Sequence, residues 1–310
     1  MLDTRLSPKK SAVKHFVSIK TLQRHDLDHL ISLAHDAYQG KLLNTLTGKI
    51  IASCFFEAST RTRLSFEAAI HRLGADVIGF ADAHNTSLGK KGESFSDTIQ
   101  MLNGYADAIV MRHFDAGSAE LAASISTIPV VNAGDGANEH PSQTLLDLFT
   151  IKQKFGEIDG IKIAMVGDLR YGRTVHSLSY ALMNYKDITI YYVSPQSLQI
   201  PHEITQKLQE NNITFHCVEE LEEVIAHVDV LYMTRLQKER FGANETHEMV
   251  GYSLTADMLK EQAHNDLIVM HPLPRVQEIC HSVDATKYAW YFQQAKNGVF
   301  MRQAILYQLF

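Results

Sequence analysis

Residues 49–74, KIIASCFFEASTRTRLSFEAAIHRLG, read as a strand, a turn and a helix in immediate succession. Lys49 to Glu57 is a β-rich run. Ser59 is a natural N-cap, Phe66, Ala69, Ile70 and Leu73 recur on one helical face, and Gly74 is a stop signal. The same alternation of β-rich runs and amphipathic helical stretches continues along the chain, which is the pattern of parallel strands joined by crossover helices. The predicted class is therefore α/β, with two doubly wound domains, each an open, mainly parallel sheet flanked by helices.

In the first half the strands are expected at Lys49 to Glu57, Asp76 to Ala81, Asp107 to His113 and Ile128 to Asn132. In the second they are expected at Ile161 to Gly167, Ile188 to Ser194, Ile213 to Val218, Val228 to Met233 and Leu267 to Met270. No Pro- or Gly-rich linker separates the halves, so the boundary is expected within His140 to Phe155. There Pro141 suits a first helical position, and Leu145, Leu148, Phe149 and Lys152 follow at helical spacing.

Length and composition narrow the function. The 310 residues are 45% hydrophobic, enough for two cores. The formal charge of −6, with 29 Lys plus Arg against 35 Asp plus Glu and no block of like charge, argues against a nucleic-acid partner. Met1 to Lys20 lacks the apolar core of a signal peptide, and the first ten residues read as an extended or disordered start. The longest apolar stretches are too short to span a bilayer, so no membrane partner and a cytoplasmic location are expected. Cys54, Cys217 and Cys280 are far apart and lack C-x-x-C spacing, which suits reduced thiols; His281 beside Cys280 is too little for zinc, and no metal is expected.

In open α/β sheets ligands bind at the carboxyl ends of strands. After the first strand comes Ser59-Thr60-Arg61-Thr62-Arg63, in which Thr60, Arg61 and Thr62 fall in the first turn behind the Ser59 cap and bring free helix N–H groups, two hydroxyls and a guanidinium to one point, a chemistry suited to phosphate. In isolation the same residues also suit a capped helix with solvent-facing arginines. His140 and Gln143, three apart at a helix start, can face one ligand, although a lone histidine there is commonly a cap or packed side chain. Arg112 ends the third strand, where a guanidinium reaches a polarised oxygen or simply forms a surface ion pair.

The segments STRTRLSFE (59–67), NTSLGKKGES (85–94), VMRH (110–113), HPSQTLLDLFT (140–150), GDLRYGRTVHS (167–177), MTRLQKER (233–240) and HPLPR (271–275) occur in one order. With them the chain resembles, over nearly its whole length, the catalytic chains of aspartate carbamoyltransferases. That resemblance implies transfer of the carbamoyl group of carbamoyl phosphate to L-aspartate, giving N-carbamoyl-L-aspartate and phosphate, an early step of de novo pyrimidine biosynthesis.

The resemblance also implies roles. Ser59, Thr60, Arg61, Thr62, Ser87, Arg112, His140, Gln143, Leu273 and Pro274 would bind carbamoyl phosphate; Lys91, Arg173, Arg235 and Gln237 would bind aspartate. Arg61, Thr62, Lys91, Arg112 and His140 would carry the catalysis. It further implies residues 1–141 as the carbamoyl phosphate domain, with a C-terminal helix at 292–310 packed back on it, and 142–291 as the aspartate domain. Ser87 and Lys91 would lie in a mobile loop reaching into a neighbouring subunit of a homotrimer with shared sites. Separate regulatory chains, which contact relatives of this kind, are candidate partners.

The chemistry agrees with these roles. Negative charge grows on the carbonyl oxygen as the amine attacks, and Arg112, Thr62 and His140 are donors suited to it, with His140 acting as a neutral imidazole. No metal or organic cofactor is required. The alternative is an ornithine-type or other amine carbamoyltransferase; ornithine enzymes have HCLP where this chain has HPLP, with Pro272 in the place of the cysteine. A dicarboxylate calls for guanidinium and ammonium groups, which Arg173, Arg235 and Lys91 supply. A dinucleotide fingerprint is absent, because Gly167 to Gly172 (GDLRYG) carries bulky side chains where pyrophosphate needs bare backbone; Gly89 to Gly92 also fails the P-loop spacing.

Overall fold

The structure, a computed structural model, describes residues 14–237 and 252–310. Met1 to Lys10, and Lys238 to Arg240 of the MTRLQKER segment, lie outside the described residues. In chain order the elements are α1 (Arg24–Tyr38), β1 (Ile50–Phe55), α2 (Thr60–Arg72), β2 (Asp76–Phe80), α3 (Ser87–Lys91), α4 (Phe95–Leu102), β3 (Ala108–His113), α5 (Ser118–Ile125) and β4 (Val130–Asp135). Then follow α6 (Pro141–Phe155), β5 (Lys162–Val166), α7 (Arg173–Leu182), β6 (Thr189–Val193), α8 (His202–Glu210), β7 (Thr214–Val218), β8 (Val230–Met233), α9 (Ala256–Gln262), β9 (Ile268–Met270) and α10 (Tyr291–Tyr307).

Every strand but β4 lies inside a stretch expected from the sequence. β4 runs on to Asp135 because its ladder with β3 continues past an irregularity, pairing His113 with Asp135. The strands form two sheets in the orders β2-β1-β3-β4 and β7-β6-β5-β8-β9, and every pairing between them is parallel. Each half of the chain therefore forms its own doubly wound α/β domain. Chain direction across the sheet reverses between β1 and β3 in one domain and between β5 and β8 in the other, and such switch points open a crevice.

Alternate strand residues point to opposite faces, so each sheet feeds two apolar layers. Ile51 and Phe55 join one core while Ala52 and Cys54 join another. Ile163 and Met165 share the core of Ile51, whereas Ala164 and Val166 enter a third. The two sheets thus share a middle layer, and α6 lies in it.

That position changes the character of α6. Its spacing predicts an amphipathic helix, yet Pro141 through Ile151 are all buried, so it has no solvent face over that length. Its polar groups must then find partners inside the protein. Gln143 donates to Asp147, one turn on, over 2.9 Å, and Thr150 Oγ1 donates to the Leu146 carbonyl over 2.7 Å.

α10 packs against α1, α2 and α6, returning the chain end to the first domain. Arg24 of α1 adds a paired contact to Asp159, at 2.7 and 2.9 Å, between the two halves. Among the described residues no helix is long and apolar enough to cross a membrane, and no cluster of three His, Cys, Asp or Glu side chains could hold a metal ion.

Candidate active site

The carboxyl ends of β1, β3, β4, β5, β8 and β9 converge on a cleft of about 790 Å³ between the domains. Ser59 caps α2 with an extended backbone, but its hydroxyl makes no capping bond. Thr60, Arg61 and Thr62 then form the first turn, and all four residues line the cleft. The two arginines of this turn have different tasks. Arg63 pairs with Glu67 at 3.0 Å along the helix, whereas Arg61 faces the cleft. Burial, with the charges of Arg112 and Arg235 added, lowers the pKa of Arg61.

Arg112 leaves β3 beside the end of β1, where Phe55 is its register partner. Its Nε lies 3.0 Å from Glu57 Oε2. Gly134 adopts φ +117°, and a Cβ there would come within 3.3 Å of both Arg112 Nη1 and Arg173 Nη2. Glycine at this point therefore lets two guanidinium groups close on the end of β4. Arg173, the first residue of α7, is itself buried and donates to the Gly136 carbonyl across the domains.

His140 sits at the N-cap of α6, followed by Pro141, and is buried. Burial, reinforced by Arg173, Arg112 and Arg302, holds its pKa well below 6.5, so the imidazole is neutral. Asp135 shapes the preceding loop by accepting from Asn132, Asn138 and the backbone of Gly117 and Glu139.

On the other side, Asp168 accepts the N–H of Tyr171 at 2.9 Å and of Gln237 at 3.0 Å. One buried carboxylate thereby ties the loop after β5 to the loop that carries Arg235 and Gln237. After β9, His271 Nδ1 accepts the Leu273 N–H at 2.7 Å while Nε2 lies 2.7 Å from Glu278 Oε1. A ring nitrogen that accepts a backbone N–H carries no proton, so the proton is on Nε2 and points at Glu278. This bracket shapes Pro272 to Pro274, with Leu273 in the left-handed region at φ 54°.

The cleft thus unites Ser59, Thr60, Arg61, Thr62, Arg112, His140, Gln143, Arg173, Arg235, Gln237, Leu273 and Pro274. It does not include Ser87 or Lys91, which are exposed on α3, a short helix within the segment expected to be a mobile loop. Glu57, Thr234, Gln294 and Arg302 also line the cleft, although no role was read for them from the sequence, and Asp147 stands behind it, bonded to Gln143 and Gln294. Glu57, Asp147 and Thr234 stand inside quoted segments, and the acidity of the first two against neighbouring arginine or glutamine was the available clue. Arg302 is wholly enclosed in α10, where burial lowers its pKa to about 10 against the opposing charge of Asp147.

Chemically the site gathers Arg61, Arg112, Arg173 and Arg235, with Glu57 as the acid on its wall. Such an excess of fixed positive charge favours a ligand carrying several negative charges.

Comparison with known proteins agrees with this geometry. Residues 14–153 match the model of the aspartate/ornithine carbamoyltransferase carbamoyl-P binding domain, and residues 159–309 that of the Asp/Orn binding domain. The aspartate carbamoyltransferase catalytic subunit of Buchnera aphidicola subsp. Schizaphis graminum is 51% identical over 294 residues, 94% of each chain. The catalytic subunit of M. jannaschii aspartate transcarbamoylase superimposes with a TM-score of 0.88 at 46% identity, covering 96% of this chain and 97% of that one. The Trypanosoma cruzi aspartate transcarbamoylase in complex with carbamoyl phosphate and aspartate gives a TM-score of 0.90 at 40% identity, covering 95% and 96%. A cationic cleft between two parallel-sheet domains, matched along both domains by these relatives, means that the chain belongs to the aspartate/ornithine carbamoyltransferase family, as a catalytic chain of the aspartate type.

Proposed function

We propose that this cleft transfers the carbamoyl group of carbamoyl phosphate to the amine of L-aspartate, with the residues acting as follows. The observation that carries the reading is the convergence of Arg61 and Arg112 from the first domain with Arg173 and Arg235 from the second. The start of α2 takes the phosphate, because Ser59, Thr60 and Thr62 offer hydroxyls and free backbone N–H groups beside Arg61. Arg173 and Arg235, with Gln237, take the two carboxylates of aspartate.

The amine nitrogen attacks the carbamoyl carbon and forms the C–N bond. Charge moves onto the carbonyl oxygen, where Arg112, Thr62 and neutral His140 are the donors. The C–O bond to phosphate then breaks, and the phosphate leaves with the bonding pair and accepts the amine proton. A neutral His140 donates one hydrogen bond without adding a charge that would bind ground state and transition state alike. The Leu273 carbonyl and Pro274 orient the carbamoyl end.

Residues 1–141 with the terminal helix 292–310 form the carbamoyl phosphate half and 142–291 the aspartate half; the packing of α10 on α1 and α2 supports that division. Lys91 and Ser87 complete the site of a neighbouring chain in a cytoplasmic homotrimer, in keeping with their exposure and their separation from the cleft of their own chain. Separate regulatory chains are candidate further partners. Parallel assays with carbamoyl phosphate and either L-aspartate or L-ornithine test it. Turnover with aspartate alone is expected; comparable turnover with ornithine would refute the acceptor assignment.

A further inference from the structure

Asp147 is wholly buried on α6, one turn below Gln143, and three donors from three elements close on it. Its Oδ1 accepts Gln143 Nε2 at 2.9 Å and Gln294 Nε2 at 2.7 Å. Its Oδ2 accepts the Tyr232 hydroxyl from β8 at 2.8 Å. The orientation of Gln294 is set independently, because its Oε1 accepts the His271 N–H at 2.8 Å, so its NH₂ must turn toward Asp147. With Gln294 fixed, Oδ1 accepts at least one N–H, and in the ionised carboxylate both oxygens are acceptors only, so the group that Gln143 turns to Oδ1 is its NH₂. An acceptor-only oxygen admits one orientation of the Gln143 amide, with NH₂ toward Asp147 and the carbonyl oxygen left for the cleft that Gln143 lines.

We propose that Asp147 is a positioning residue that fixes the Gln143 amide with its carbonyl oxygen toward the substrate, so that the site selects an acyl phosphate bearing –NH₂ over one bearing –CH₃. The proposal rests on the reaction assigned above, with carbamoyl phosphate in the cleft that Gln143 lines. A carbonyl oxygen accepts from a carbamoyl –NH₂ and gains nothing from an acetyl methyl group. A site built to hydrogen-bond an N–H discriminates strongly against the analogue that lacks it. The opposite amide orientation would leave two N–H groups facing an –NH₂ donor, so the choice between substrates turns on which way one amide lies. Mere satisfaction of a buried network would make Asp147 matter for stability alone.

The test measures binding, so a failure of the assigned reaction registers in the turnover assay and not here. Phosphonoacetamide and its methyl ketone isostere, 2-oxopropylphosphonate, differ only in –NH₂ against –CH₃, and calorimetry gives the affinity ratio for the full chain. Asp147→Asn keeps the shape but adds a donor, so the Gln143 amide is no longer forced. The ratio favouring phosphonoacetamide should fall by about tenfold or more. In a Gln143→Ala background the same substitution should change the ratio no further. A folded Asp147→Asn variant with the wild-type ratio would overturn the proposal. Neutron diffraction on the wild-type protein needs no variant: Gln143 deuterons directed at Asp147 are expected, and a carbonyl oxygen there overturns it equally.

Discussion

Arg112 Nε and Glu57 Oε2 stand 3.0 Å apart at the carboxyl ends of two neighbouring strands, an ion-pair contact outside hydrogen-bond geometry that sets a carboxylate beside the guanidinium proposed for the substrate's carbonyl oxygen. Preorganised donors stabilise a developing oxyanion without a reorganisation cost. Arg112→Ala should lower kcat by about two orders of magnitude, as for loss of one oxyanion donor. Unchanged turnover in folded protein would remove Arg112 from that role.

A Cβ at Gly134 would crowd both Arg112 Nη1 and Arg173 Nη2 at 3.3 Å, and the φ of +117° disfavours any side chain there. Gly134→Ala should raise KM and lower kcat together, because the added methyl displaces one donor from each half of the site. Steady-state kinetics beside a thermal melt distinguish this from loss of fold. Wild-type kinetics would show that the guanidinium groups tolerate the shift.

Binding order follows from the site being divided between domains. Aspartate should bind measurably only once carbamoyl phosphate is present, since Arg173 and Arg235 must be brought against an occupied first domain. Calorimetry with and without a carbamoyl phosphate analogue checks this; equal affinity in both titrations would contradict it.

The exposure of Ser87 and Lys91 motivates a hybrid experiment. Lys91→Ala and His140→Ala proteins, each inactive, are dissociated and mixed. In a head-to-tail ring of three, random reassembly leaves about one interface in four with both residues intact, so activity should return to roughly one quarter of wild type. Hybrids seen by mass measurement without recovered activity would exclude action of Lys91 across chains.

Two buried groups give opposite pH signs. The pKa of His140 lies well below 6.5 because burial, followed by its arginine neighbours, disfavours the imidazolium. Its contribution to stability is present above pH 6.5 and lost as pH falls below that value. The pKa of Asp147 is raised from 3.8 to about 7 by burial, against hydrogen bonds from Gln294, Tyr232 and Gln143 that lower it. Its contribution is complete below pH 3.8 and lost as pH rises through about 7. Melting curves should therefore show wild type losing ground to Asp147→Asn between pH 4 and about 8, by on the order of a few kcal/mol. A constant difference would show that Asp147 does not titrate there.

Strand positions and most of the loops that line the cleft were legible in the chain because they depend on local order, and the alternation of strands with helices implied the parallel pairing. Apolar runs mark strands, and a Ser59-type cap followed by Pro141-type helix starts marks the loops at their carboxyl ends. Arg61, Arg112, His140, Arg173 and Arg235 all stood in such loops. Other features depended on what packs against what. The helix spacing of α6 could not reveal that it would lie between two sheets, so the need to satisfy Gln143, Asp147 and Thr150 internally arose only in the folded protein. Arg302 and Gln294 come from α10, more than a hundred residues beyond their partners near α6, and their place in the site depends on that helix returning across the first domain. The choice between Arg61 and Arg63 was tertiary only in part: Glu67 engages Arg63 one turn along the same helix, a spacing already present in the sequence, while the crevice between the domains receives Arg61. Local sequence sets which backbone turns are favourable, whereas burial and long-range pairing decide which polar side chains must find partners inside the protein.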